Sequence, residues 1–156
     1  MRTIILTILL ATTLSGQAEA AKKQVHKKSV PAFSSKSFIV ADGNGNIIRE
    51  KAGEMVLSIA SITKLMVAIL ASEQDLTEEL SIPAIREVQT KIPKDMTILG
   101  RKELLTLALV KSDNLAAQVL CENIPDCINE MNNRAVEIGM HNTVFHEPTG
   151  LNKDNV

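Results

Sequence analysis

Hydrophobic and polar positions divide the chain into stretches of different period. Phe38 to Ala41 and Ile47 to Arg49 are apolar-rich runs flanking Asp42-Gly43-Asn44-Gly45. Those four residues supply the positive φ angles that a tight reversal needs, so the pattern predicts a β-hairpin. From Ile62 to Leu70 apolar residues fall on nearly every face, which predicts a helix buried on all sides. Thr77 to about Thr97 is mixed: two prolines, one alternating piece at Leu80-Ser81-Ile82, and otherwise an irregular excursion. Helical period returns at Arg101–Val110, with Leu104, Leu105, Ala108 and Leu109 on one face. It breaks at "KSDN" and resumes as "LAAQVLCEN". A further helix fits "PDCINEMNNRAVEIG", with Pro125 in its first turn and a stripe of Ile128, Met131, Ala135 and Ile138. Gly139 stands where a left-handed cap belongs. The tail from Met140 to Val156 reads as loop. Strands and helices in this order predict an α+β fold, and there is no internal repeat.

Composition narrows the possibilities. The chain has 156 residues, 45% of them hydrophobic and 22% charged, as a globular domain would. A net charge of -1 gives no pull towards nucleic acid, and three Phe with no Tyr or Trp leave no base-stacking platform. Residues 1–20 have one Arg, an apolar run from Ile4 to Ala11, and Ala18-Glu19-Ala20, an A-x-A pattern of the kind signal peptidase cuts after. This predicts a signal peptide and a periplasmic or secreted protein. The other reading is an amphipathic or buried N-terminal helix. The run is too short to span a membrane, which takes about 20 residues, so the mature chain carries no membrane span. Residues 21–36 are Lys-rich with Ser and Pro, a solvated linker or a basic tether. Cys121 and Cys127 bracket "ENIPD". In an exported chain the two can pair as a disulfide, with free thiols as the alternative. Zinc would need two more ligands that the surroundings do not offer.

Chemistry concentrates at "SIASITKLMVAILASEQ". On a helix, positions i and i+3 share a face, so Ser61 and Lys64 project side by side if the helix begins near Ser61. A serine hydroxyl is a poor nucleophile until something takes its proton. Lysine can do so when burial lowers its pKa. The helix N-terminus adds partial positive charge near the attacking oxygen. The bland reading is a helix start with a solvent-facing Lys. Fifty-one residues on, Ser112-Asp113-Asn114 interrupts two helices. Such a triplet is often only a capping turn. Beside a Ser–Lys pair it offers a hydroxyl to relay a proton and an amide to hold a carbonyl. The chain has a single S-x-x-K and a single S-x-N.

With these two motifs the sequence resembles the penicillin-recognising serine enzymes, which carry S-x-x-K, S-x-N and K-[ST]-G. "ASITKLMVA" and "NTVFHEPTGL" resemble the nucleophile helix and T-x-F-x-x-P-x-G-L loop of the low-molecular-mass D-alanyl-D-alanine peptidases, most of all the penicillin-binding protein 7-like endopeptidases. The resemblance runs from about Phe38 to Val156. It implies a DD-peptidase/β-lactamase-like fold over residues 37–156, with Ser61 as acyl-ester nucleophile and Lys64 as its proton acceptor. Ser112 and Asn114 match the second motif, Ser112 as a catalytic residue and Asn114 as a substrate-binding one. The substrate implied is a peptidoglycan peptide, with β-lactams as inhibitors and no cofactor or metal.

No K-[ST]-G follows Asn114, and Lys51-Ala52-Gly53 precedes the nucleophile in the hairpin. The resemblance places that third motif on a strand lining the site, beside another that supplies an oxyanion N–H. One lost oxyanion donor costs about 10²–10³ in rate. The expectation is therefore an N-terminal portion of the catalytic domain, its C-terminal sheet strands missing and its activity crippled. Two other functions compete. A class A-like β-lactamase would use Glu147 for deacylation, but Glu147 and Asn152 are one residue too far apart for that group's E-x-x-x-N. A non-catalytic remnant would hold muropeptide without cleaving it. None of His26, His141 or His146 lies in H-E-x-x-H, and no G-x-S-x-G or phosphate-binding glycine loop occurs. Asp42 to Asn46 has a calcium-like composition but lacks the following acidic ligand, so a turn is favoured.

Overall fold

The computed structural model of the chain describes residues 34–156. The leader-like residues 1–20 and most of the basic linker lie outside the described residues.

The hairpin forms as its turn chemistry dictates. β1 (Phe38–Ala41) and β2 (Ile47–Lys51) pair antiparallel with Phe38 opposite Lys51, and the register shifts between Val40 and Ala41. Asp42 organises the turn: its carboxylate accepts the Asn44 and Asn46 N–H groups and the Asn46 amide, each at 2.9 Å. These bonds organise the turn and hold the carboxyl below its ordinary range. Gly45 takes the positive φ, +85°.

A 3₁₀ turn at Ala60–Ile62 then runs into α1 (Thr63–Ser72). Met66, Val67, Leu70 and Ala71 of α1 are buried, but Ile62, Leu65 and Ile69 are exposed by 62%, 55% and 40%. The expectation of a helix buried on every side is thus corrected, because this i, i+3, i+7 stripe faces outward. The irregular excursion is more ordered than its pattern implied. β3 (Glu79–Ser81) pairs antiparallel with β4 (Ile98–Gly100), Leu80 opposite Leu99. Arg86 laces the intervening loop by donating to the carbonyls of Ile92 (2.5 Å) and Met96 (3.0 Å).

α2 (Arg101–Val110) packs against α3 (Asn114–Glu122) and α1. Its inward face is Leu104 and Ala108, with Leu105 half-buried. Leu109 is exposed, a correction to the predicted stripe, since the helix meets its neighbours along the 101–104–108 line. Arg101 is buried at the start of α2, paired with the Glu78 carboxylate and donating to the Asp75 carbonyl at 3.1 Å. α4 (Cys127–Glu137) begins after Asp126, whose φ of +51° leaves Pro125 before the helix rather than in its first turn. Met131 and Ala135 are buried and Ile138 is exposed, because the helix ends before it. Gly139 closes the helix at φ +86°: its N–H bonds the Val136 carbonyl and the Met140 N–H bonds that of Ala135. That is the paired arrangement of a Schellman cap. Cys121 and Cys127 are joined as a disulfide across the α3–α4 turn. The core gathers α1, α2, α3 and α4 with Leu80, Ile82, Ile92 and Phe145. No helix of the described residues is long and apolar enough to cross a membrane.

Candidate active site

Ser61 sits in the 3₁₀ turn at the head of α1 and is exposed, while Lys64 lies one helical step on and is 2% exposed. The Lys64 Nζ is 3.1 Å from Ser61 Oγ. Its second partner is the backbone carbonyl of Thr149, at 2.6 Å and 85 residues away in sequence. Burial pushes the Lys64 amine below the ordinary lysine range, and the carboxylates of Glu147 and Asp113 pull partly the other way. Neither the 3₁₀ turn nor α1 has a side-chain N-cap, so the positive end of the helix remains directed at the region of Ser61.

The Ser112-Asp113-Asn114 triplet lies between α2 and α3. Ser112 is exposed with φ +52°, a left-handed conformation unusual for a residue with a side chain. Asp113 caps α3, accepting the Ala116 N–H at 3.0 Å, and also takes the Thr90 hydroxyl and the Lys91 N–H. The capping role weighed from sequence is thus filled by Asp113. Asn114 is the first residue of α3 rather than part of the turn. Ser112 and Asn114 line a polar hollow with Thr90, Lys91 and Lys111. Among the described residues, neither side chain hydrogen-bonds to the Ser61–Lys64 pair. The link is electrostatic, through Asp113 acting on Lys64.

The tail beyond Met140 is loop, as its composition predicted, but it is a tightly bonded one. The Glu147 carboxylate accepts the N–H groups of Thr149, Gly150 and Asn152, the Thr149 hydroxyl and the Asn155 amide. Burial pushes its pKa up, but these bonds win and leave the carboxyl below the ordinary glutamate range. Asn155 is fully buried and also donates to Thr63 Oγ1 at 3.1 Å and the Glu147 carbonyl at 2.9 Å. It accepts the His146 N–H on Oδ1 and the Ile59 N–H on its carbonyl. Gly150, at φ +79°, passes so close to the nucleophile turn that a Cβ there would lie 1.9 Å from the Ala60 carbonyl oxygen. Sequence reasoning gave Thr149 and Asn155 no part, and a main-chain carbonyl leaves no signature in residue type. Among the described residues, no cluster of three or more His, Cys, Asp or Glu is placed to hold a metal ion.

The family model for D-alanyl-D-alanine carboxypeptidase, peptidase family S11, matches residues 23–156. The chain is 36% identical over 163 residues to a D-alanyl-D-alanine endopeptidase of Escherichia coli (strain K12), covering 97% of this chain and 52% of that protein. A D-alanyl-D-alanine endopeptidase of Pseudomonas aeruginosa is 34% identical, covering 99% and 52%. The chain thus spans about half the length of the curated relatives it matches. Among solved structures, ampicillin-bound penicillin-binding protein D2 from Listeria monocytogenes superposes with a TM-score of 0.71 at 26% identity, covering 80% of this chain and 55% of the other. The D-alanyl-D-alanine carboxypeptidase DacD from Francisella tularensis gives 0.71 at 28% identity, covering 78% and 33%.

Proposed function

The chain belongs to the D-alanyl-D-alanine carboxypeptidase family, and from that premise we propose that it acts on D-Ala-containing peptides of peptidoglycan through an acyl-enzyme on Ser61. The observation that carries this reading is the buried Lys64 amine 3.1 Å from an exposed Ser61 hydroxyl. Burial disfavours the ammonium, so neutral amine is available to take the serine proton. As Ser61 Oγ bonds to the substrate carbonyl carbon, its proton passes to Lys64 Nζ. The C–N bond then breaks, and the leaving amine takes up a proton, for which the Ser112 hydroxyl is the proposed relay. Asn114 holds a substrate carbonyl. Water then cleaves the ester, returning a proton to Ser61.

Export by the leader-like residues 1–20 completes the proposal, and the Cys121–Cys127 disulfide is in keeping with an oxidising compartment. Reaction with β-lactams follows from the same Ser61 chemistry. A β-lactamase reading is less well supported, because five donors already occupy the Glu147 carboxylate. A carboxylate offers about four lone-pair sites, so little capacity remains to activate a water.

A fluorescent penicillin tests the reading. Covalent labelling that is lost in Ser61→Ala is the expected outcome, and labelling that survives the substitution overturns the nucleophile. Rapid turnover of the drug would favour the β-lactamase. Binding of muropeptide without labelling would favour a non-catalytic module.

A further inference from the structure

We propose that Glu147 is a positioning residue that, through the peptide unit joining Thr149 to Gly150, orients the Lys64 amine towards Ser61. The inference rests on the reading of Ser61 and Lys64 as nucleophile and proton acceptor.

A neutral amine has two N–H bonds and one lone pair. To accept the serine proton, the lone pair must face Ser61 Oγ, yet rotation about the Cε–Nζ bond would as readily present an N–H. A carbonyl can only accept, so the Thr149 oxygen at 2.6 Å takes an N–H of Lys64 and restricts that rotation. The question becomes what aims this carbonyl, since Thr149 belongs to no helix or strand. The Thr149 C=O and the Gly150 N–H lie on opposite sides of one planar trans peptide. Glu147 Oε1 takes that N–H, so the carbonyl must point the other way, to Lys64. Glu147 Oε2 takes the N–H and hydroxyl of Thr149 itself, holding the preceding peptide as well. Asn155 then ties Glu147 to Thr63 in the first turn of α1, and Gly150 lies against Ala60. Both ends of the arrangement are referred to the same few atoms around the nucleophile.

Two charged groups act on Lys64: Glu147 from this loop and Asp113 from the α2–α3 turn. α1 itself contributes no other charge, its remaining residues being Thr63, Ser72 and apolar side chains. Glu147 therefore exerts two separable effects, one by charge and one by shape.

The test is the rate of acylation by a fluorescent penicillin as a function of pH, normalised to folded protein by thermal unfolding. It is paired with an NMR titration of the Lys64 side chain in isotopically labelled protein. In Glu147→Gln the charge goes, and the side-chain amide cannot accept on both of its ends. The plateau rate per folded molecule is expected to fall on the order of 10–100-fold, the scale of a misplacement near 1 Å. The Lys64 titration and the acidic limb of the profile are both expected to move to lower pH. Glu147→Asp keeps the charge but shortens the reach, so its plateau should fall while its acidic limb stays in place. If Glu147→Gln does not fold, the aspartate variant alone decides. A merely structural Glu147 would change the folded fraction and leave rate per folded molecule and limb untouched, which would overturn the proposal. If the wild-type chain does not label at all, the Ser61 reading fails. The NMR arm still judges Glu147, and an unmoved Lys64 titration in Glu147→Gln would count against it.

Discussion

Ser61 and Lys64 lie three residues apart, yet spacing alone leaves the amine free to reach solvent. What keeps it in is burial by the core behind α1 and the Thr149 carbonyl in front. On the proposed mechanism, acylation needs the neutral amine. Its rate should rise with pH along a limb set below the ordinary lysine value of about 10.4, because Lys64 is protonated and unable to accept at lower pH. Lys64→Ala should lower labelling by about 10²–10⁴-fold, read by gel fluorescence against the folded fraction. Two glycines make a contrast at the same scale. Both have φ near +80°, but a Cβ at Gly139 meets nothing within 4 Å whereas one at Gly150 meets the Ala60 carbonyl. Gly139→Ala should cost about 1–2 kcal/mol from backbone conformation alone. Gly150→Ala adds a steric term of about 1–3 kcal/mol and should displace the loop, with a larger drop in melting temperature. The first glycine was legible from its place after a helical stripe. The need for the second arises from a backbone contact across about ninety residues of chain.

Among the elements, those that close on themselves were the readable ones. The hairpin follows from Asp42 and Gly45, and α2 begins and ends where its period does, because i→i+4 bonds and capping are local. β4 has no local signature, since three residues, Ile98-Leu99-Gly100, carry no period and become a strand only by pairing with β3. The 147–155 loop is the other element whose order is non-local. Its acid dependence follows from Glu147, whose pKa lies below the ordinary value in the folded state. A depressed carboxylate contributes stability above the unfolded-state pKa, near 4.3, and loses it as pH falls through the lower folded-state value. Melting temperature should therefore decline in that acidic window, and Glu147→Gln should flatten that decline. An unchanged slope in the variant would assign the acid sensitivity elsewhere. The Arg134 contacts to Glu73 and Glu137 are exposed ion pairs screened by solvent, and removing them should leave the melting temperature nearly unchanged.

For the molecule as a whole, two properties stand out. The disulfide joins α3 to α4 across a short span, and the chain-entropy model assigns such a loop about 2 kcal/mol. Replacing Cys121 and Cys127 by serine should lower the melting temperature by roughly that equivalent, and a reducing agent should have no further effect on the variant. The outward stripe of α1, with Met55, Val56 and the strand residues Ile47 and Ile48, leaves considerable apolar surface exposed on the described residues. Exposed apolar side chains in this number favour association. The chain is expected to self-associate with concentration in size-exclusion chromatography, and Leu65→Lys should shift it towards monomer. By itself the sequence determined the α+β order of elements, the turn and cap residues, and the juxtaposition of Ser61 with Lys64. Each depends on bonds between residues a few positions apart. Only the tertiary structure decided that the amine at 64 is buried, that Asp113 braces the loop around Thr90, and that a peptide at 149–150 faces the nucleophile turn. Those contacts join residues 20 to 90 positions apart, and no local pattern encodes a partner that far along the chain.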